Sequence, residues 1–306
     1  EFNYRSGRLW ILSINNSGVV QNTMKIPANN ILNLSPWDVF GSDVTTVGDL
    51  DNNGTVDLAV GSRRYNDKGA VYILFMNPDL TIQSYNRIAS HESGFGNLDY
   101  QDYFGGAVVN IGDLDDNGIP ELAVSAYRDD DGGNNKGAVY ILFLDQSGDV
   151  TNYQKISELD GNFNDTLISN TQFGLSVSET DDINEDGLKE IIVSASGWED
   201  TSQNQFGAFY ILNLNNDGTV SSYVKYANGI QNLNINSEDD DGFAMSVANI
   251  GIDNNNSHNI AIGSYLDVDN QSEFQRGSFY VINLGTTLSV NEFSHPDNYI
   301  YPNPTR

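Results

Sequence analysis

The chain has 306 residues, with 42 acidic against 14 basic side chains, a formal net charge of -28 and no cysteine. That balance excludes a nucleic-acid partner, whose phosphates would be repelled, and favours cations and basic surfaces. Without thiols there are no disulfides, no cysteine nucleophile and no cysteine metal ligand. No stretch approaches the roughly 18 uninterrupted apolar residues of a membrane span, and the start at Glu1-Phe2-Asn3-Tyr4-Arg5 runs straight into a strand with no signal peptide, as a trimmed or processed end would.

In chain order, residues 6–26 hold two predicted strands, Gly7-Arg8-Leu9-Trp10-Ile11-Leu12 and Val19 to Ile26. A longer unit then repeats. Phe40-Gly41, Phe104-Gly105 and Phe173-Gly174 open three copies and Phe243-Ala244 a weaker fourth, at spacings of 64 to 70 residues. A short apolar segment follows each pair, then an acidic loop, then a second apolar run at Leu58-Ala59-Val60, Leu122-Ala123-Val124, Ile191-Ile192-Val193 or Ile260-Ala261-Ile262.

After a polar excursion comes the most regular element. It reads Gly69-Ala70-Val71-Tyr72, Gly137-Ala138-Val139-Tyr140, Gly207-Ala208-Phe209-Tyr210 and Gly277-Ser278-Phe279-Tyr280, each continued by two aliphatic residues. A turn at Asn77-Pro78-Asp79, Gln146-Ser147-Gly148 or Asn216-Asp217-Gly218 leads to a fourth strand with Tyr85, Tyr153 or Tyr223, and Thr287 to Phe293 can finish the last copy.

Short runs rich in Val, Ile, Tyr and Phe, bounded by Gly, Asn and Asp, predict strands rather than helices. Each unit is therefore a four-stranded antiparallel meander, and the chain is all-β. A unit of this length is too long for a solenoid coil and too short for a separate sandwich. The expected fold is a β-propeller of four-stranded blades, with four full repeats and a half blade before them.

Three loops share the form Asp-x-Asp/Asn-x-Asn/Asp-Gly-x-x-Asp/Glu, and oxygen-only ligands around a sharp bend suit a hard cation. The first set is Asp49, Asp51, Asn53 and Asp57 with the carbonyl of Thr55. Asp113, Asp115, Asn117 and Glu121 with the carbonyl of Ile119 form the second, and Asp182, Asn184, Asp186 and Glu190 with that of Leu188 the third. Flexible geometry and two or three negative charges per loop favour Ca2+ over magnesium, and the lack of cysteine or clustered histidine disfavours zinc. An EF-hand would need Glu at position 12 between helices, where this chain has Val60, Val124 and Val193 inside apolar runs. An ordinary Asp/Asn/Gly turn without metal stays open as the alternative.

The polar excursions open on an aromatic residue, Tyr65, Tyr127, Trp198 or Tyr265. These four either line one mouth of the ring, stacking on a sugar or gripping a protein, or pack between blades. The acidic runs Asp129-Asp130-Asp131, Glu199-Asp200 and Asp267 with Asp269 are further cation or partner candidates, or simply solvated loops. Catalysis has little support: His91, His258 and His295 stand in unrelated contexts, and neither a nucleophile elbow nor a nucleotide-binding glycine motif is present. The expectation is a module that is not an enzyme.

With Phe-Gly, the acidic loop and Gly-Ala-Val-Tyr recurring in this order over about residues 40–284, the chain resembles the FG-GAP repeat family of integrin α propeller heads and bacterial surface proteins. The resemblance implies seven blades, calcium in loops between first and second strands, and protein binding without chemistry. This sequence departs in two ways. The fourth unit, Gly251 to Asn259, lacks the first acid and the loop glycine, and the blade count falls short of seven.

The tail Asn298-Tyr299-Ile300-Tyr301-Pro302-Asn303-Pro304-Thr305 is similar to the start of the sorting domain of Bacteroidetes proteins exported by the type IX pathway; a proline-stiffened linker is the alternative. The resulting expectation is a propeller over 1–294, with a partial blade at 1–39 and repeats at about 40–103, 104–172, 173–241 and 242–294, then a linker at 295–306. Its expected role is that of a calcium-binding, secreted or cell-surface module for a protein or glycan ligand. An accessory or catalytic part of a polysaccharide-processing enzyme, or a structural spacer, is the rival reading.

Overall fold

The computed structural model describes residues 6–26, 32–200, 204, 206–231, 233, 235, 241–266, 277–284 and 288–294, the last stretch as backbone only. Among the described residues five antiparallel sheets succeed one another. The first is a half blade of β1 (Leu9–Ile14) and β2 (Val20–Ile26). Four four-stranded meanders follow: β3 (Phe40–Gly48), β4 (Asp57–Ser62), β5 (Ala70–Met76) and β6 (Ile82–Ala89); β7 (Val108–Gly112), β8 (Glu121–Ala126), β9 (Ala138–Leu144) and β10 (Val150–Ile156); β11 (Phe173–Glu179), β12 (Ile191–Ala195), β13 (Ala208–Leu214) and β14 (Val220–Ala227); and β15 (Phe243–Ile252), β16 (His258–Ser264), β17 (Ser278–Leu284) and β18 (Leu288–Ser294). This is an all-β, four-blade propeller arrangement, as the repeat period predicts. Among the described residues the helical content is one 3-10 turn at Tyr65–Asp67.

Burial explains the sequence of the third strands. β5 and β9 are buried at all seven positions, because each of their sheets is covered on both faces by its neighbours. At the ends of the array the covering is one-sided: β17 alternates, and Trp10, Leu12 and Ile14 of β1 are each at least half exposed.

The two signature dipeptides meet at the seams between blades. Phe40, Phe104 and Phe173 each donate their backbone N–H to the residue before the preceding sheet's glycine, at 2.9 Å to Ser6, 3.0 Å to Lys68 and 2.9 Å to Lys136. Gly137 takes φ 87° there, and a Cβ on it would lie 2.3 Å from the carbonyl oxygen of Phe173. No residue with a side chain fits that approach. The phenyl ring of each pair then packs edge-on against the tyrosine of its own blade's third strand. The centroid distances are 5.4 Å for Phe40–Tyr72, 5.7 Å for Phe104–Tyr140, 5.6 Å for Phe173–Tyr210 and 5.5 Å for Phe243–Tyr280. One Phe-Gly pair thus joins its own core to the previous sheet.

First strands also bond each other directly. Ser42 Oγ donates to the Gly105 carbonyl at 2.7 Å and the Val108 N–H to Asp43 at 2.8 Å, while Ser176 and Ser178 Oγ each accept a backbone N–H from β15 at 3.1 Å. In a meander the first-to-second and third-to-fourth connections share one rim, and the others share the opposite rim. The segment 295–306 and the pair Asp267 and Asp269 lie outside the described residues.

Candidate metal centres

Each acidic loop spans the gap between the first two strands of a blade, on the rim that also carries the hairpin between the third and fourth strands. In the first loop Asp49 accepts the N–H groups of Asn53 at 2.9 Å and Gly54 at 2.8 Å, so the chain curls around its carboxylate. Gly54 holds φ 89° to make that bend. Asp57, the first residue of β4, is fully buried and accepts the Leu50 N–H at 2.9 Å and the Met76 N–H at 2.8 Å, tying loop, second strand and third strand together.

The second and third loops repeat this wiring. Asp113 accepts from Asn117 at 3.0 Å and Gly118 at 2.7 Å; Asp182 accepts from Asp186 at 3.1 Å and Gly187 at 2.8 Å. At the ninth position Glu121 accepts the Leu114 N–H, and Glu190 accepts the Ile183 N–H at 2.8 Å. Both glutamates are buried.

The acids of each loop converge. Carboxylate oxygens of Asp49, Asp51 and Asp57 lie within 4.8 Å of one another, as do those of Asp113, Asp115 and Glu121, and those of Asp182, Asp186 and Glu190. The third loop gathers its acids from positions 1, 5 and 9, because position 3 is Asn184, whose amide donates to Asp186 at 2.9 Å. Asn53 and Asn117 turn their side-chain oxygens to the N–H groups of Thr55 at 2.8 Å and Ile119 at 2.7 Å.

Three carboxylates this close repel, and the buried one suffers most. Burial is the main reason that the Asp57 and Glu190 carboxyls are held above their usual range, with loop aspartates pushing the same way. Glu121 is pushed up to about 7 by burial first, then by Asp115 and Asp113. Its second oxygen, Oε1, is buried with no hydrogen-bond partner among the described residues. An all-oxygen donor set with an unpartnered buried carboxylate oxygen fits a divalent cation.

The fourth blade closes the same gap differently. β15 and β16 pair out to Ile252 and His258, and the turn between them is held by Asp253 Oδ1, which accepts from Asn255 at 2.8 Å and Ser257 at 3.0 Å. No acidic triad forms there among the described residues.

On the opposite rim the four sequence-predicted aromatics are not equivalent. Tyr127 is buried. Tyr65 packs against Tyr72 at 6.3 Å under the Arg87 guanidinium, and Trp198 packs on the core with the Lys225 ammonium 5.6 Å from its ring. Tyr265 is 59% exposed. Of the acidic runs, Asp129 and Asp131 pair with Lys155 at 2.9 and 3.3 Å.

Sequence reasoning passed over Arg63, Arg64 and Arg128. The Cζ atoms of Arg64 and Arg128 lie 5.7 and 5.0 Å from the ring centre of Tyr103, and Arg63 Nη1 reaches Tyr127 Oη at 3.5 Å. The signal available was basic residues just after the second strand in two successive repeats of an acidic chain.

The FG-GAP repeat family model matches residues 40–74. Integrin alpha-11 of Homo sapiens is 31% identical over 166 residues, which is 52% of this chain and 12% of that protein. Integrin alpha-6 of Gallus gallus is 32% identical over 161 residues, 51% of this chain and 13% of that one. Integrin alpha pat-2 of Caenorhabditis elegans is 33% identical over 95 residues, 30% of this chain and 8% of the relative. These similarities support an integrin-like FG-GAP family, and the matched stretches span about an eighth or less of the relatives' length. Among the described residues no helix is long and apolar enough to cross a membrane.

Proposed function

We propose that this chain is a calcium-binding, extracellular β-propeller that presents a ligand-binding rim and performs no catalysis. One observation carries the reading: three consecutive blades bring three carboxylates within 4.8 Å of one another at the same point of the fold. Asp49, Asp51, Asn53 and Asp57, with the Thr55 carbonyl, hold one ion. Asp113, Asp115, Asn117 and Glu121 with that of Ile119 hold the second, and Asp182, Asn184, Asp186 and Glu190 with that of Leu188 the third.

The ion's contribution is structural. It neutralises the mutual repulsion of the acids and clips the first two strands of a blade to the end of the third, because Asp57 already bridges Leu50 and Met76. Binding to the folded chain alone adds stability by mass action. A stiff metal rim leaves the opposite rim, built from longer and more varied connections, to meet a protein or glycan at the cell surface.

Similarity to integrin alpha chains supports this role and an extracellular setting, and it favours an adhesive module over an enzyme part or a spacer. Isothermal titration of the chelator-stripped chain with calcium tests the reading, with three sites expected. Absence of binding at millimolar calcium would refute it.

A further inference from the structure

We propose that Arg63, Arg64 and Arg128 form a site for the oxyanion of an acidic saccharide, a uronate carboxylate or a sulfate ester, on the rim opposite the acidic loops. This rests on the binding-module reading above and names the ligand class for one part of that rim. The starting point is charge. In a chain with 42 acids, a basic side chain readily meets a carboxylate, and Arg87, Lys136, Lys155 and Lys225 all do so. Arg63, Arg64 and Arg128 make no such pair among the described residues, and the Nε of each is buried without a hydrogen-bond partner there.

The fold gathers these three from two blades. Arg63 and Arg64 follow β4, Arg128 follows β8, and Tyr103 comes from the connection between β6 and β7. The Arg64 N–H is anchored to the Asp38 carbonyl at 3.2 Å and the Arg128 N–H to the Asp102 carbonyl at 3.3 Å, and both guanidinium groups lie against the ring of Tyr103. Stacked guanidinium groups lose little further freedom when they grip an anion, and the planar fork of N–H donors matches a carboxylate or sulfate edge. Because the Nε atoms are shut off from solvent, the Nη donors of the forks would meet such an anion.

Saccharide rather than peptide is favoured by what adjoins the arginines. Arg64 lines a cavity of about 520 Å³ together with Ser35, Pro36, Trp37, Asn66, Asp67 and Asp38, whose carboxylate accepts the Ser35 N–H at 2.6 Å, a size suited to small ligands. Trp37 is 46% exposed at this cavity and takes φ 80°, a left-handed conformation that costs energy for a bulky residue. The Trp37 side chain, hydrogen-bonding partners for sugar hydroxyls in Ser35, Asn66 and Asp67, and the Arg64 guanidinium line the same cavity, with Arg128 beyond the Tyr103 ring. An acidic peptide would use the arginines and leave the rest.

The test uses the full chain in saturating calcium, with calorimetric titration at low and moderate salt. The probes are an oligogalacturonate, a heparin-derived oligosaccharide, a neutral glucose oligomer and poly-L-glutamate. Binding of at least one acidic oligosaccharide, weakened by salt, is expected, without binding of the neutral one. Arg64→Gln and Arg128→Gln should each lower affinity about tenfold or more, Arg128→Lys should retain part of it, and Trp37→Ala should weaken binding without changing the salt dependence. Asp217→Asn, in a turn on the acidic-loop rim and outside the three ligand sets, should leave affinity unchanged. No acidic saccharide bound, affinity indifferent to the arginines, or poly-L-glutamate bound as tightly and with the same arginine dependence would each overturn the proposal. Calcium uptake measured on the same samples separates the outcomes: three ions bound without saccharide sinks only this inference, and no ions bound sinks the metal reading.

Discussion

The first three blades and the fourth solve one problem by two routes. Between β3 and β4 the loop curls around Asp49 and buries Asp57, and the same wiring recurs in the next two blades. Between β15 and β16 the strands pair further and Asp253 closes a short turn, with its carboxyl held below the usual range by the Ser257 and Asn255 N–H groups. The hairpin therefore does not need converging acids to form. Three charged loops carry a repulsive cost that the fourth avoids, and the calcium proposed for them would offset it.

The largest expected effect separates the two routes outright. Removing calcium with a chelator should lower the melting temperature by ten degrees or more and added calcium should restore it, because each ion at 100 times its Kd contributes ~2.7 kcal/mol. Loss of hydrogen-exchange protection should concentrate in 49–57, 113–121 and 182–190 and spare 253–257. Uniform loss over all four loops would erase the distinction.

Next come two glycines with nearly the same φ. Gly137 at a blade seam (φ 87°) would place a Cβ 2.3 Å from the Phe173 carbonyl oxygen, whereas Gly118 in an acidic loop (φ 86°) has nothing within 4 Å. Gly137→Ala should cost ~3 kcal/mol or more and Gly118→Ala ~1 kcal/mol, read by denaturant unfolding in calcium. Equal costs would mean that the seam yields.

A smaller effect concerns Asp102, whose carboxyl is raised to about 6, mainly by burial and then by Asp129. A raised folded pKa means that the folded chain holds this proton more tightly than the unfolded one. The contribution is full below about pH 4, where both forms are protonated, and is lost as pH rises through about 6. Asp102→Asn should therefore stabilise the chain by ~2 kcal/mol at pH 7.5, with the gain vanishing below pH 4 in paired melting curves. A gain independent of pH would show that the charge is not the cause.

The smallest expected change is at Tyr210, whose hydroxyl donates to Asp165 at 2.9 Å while Lys225 holds the same carboxylate at 2.7 Å. Tyr210→Phe should cost ~1 kcal/mol in the same unfolding assay. A loss of several kcal/mol would mean that the Lys225 pair cannot hold Asp165 alone.

Much of this was legible in the sequence because a repeat writes each constraint several times. Strand order, the half blade at residues 6–26 and the departure of Gly251 to Asn259 followed from pattern alone. The coupling of the two signature dipeptides was not: Gly137 and Phe173 are far apart in sequence, and only the stacking of blades shows why the glycine cannot be replaced. Tyr65, Tyr127, Trp198 and Tyr265 all open the excursion after the second strand, but they sit at different offsets from the strand end and differ in exposure. Arg64 and Arg128 recur at the repeat spacing of Phe40 and Phe104, but Tyr103, which brings them together, comes from the connection between blades, so spacing alone could not assemble the cluster.

Three ions per folded chain is the decisive expectation. Native mass spectrometry in dilute calcium should count three per chain, two in the Asp113→Ala/Glu121→Gln variant, and three still in Asp253→Asn. A count of zero, or three ions retained by the loop variant, would contradict it.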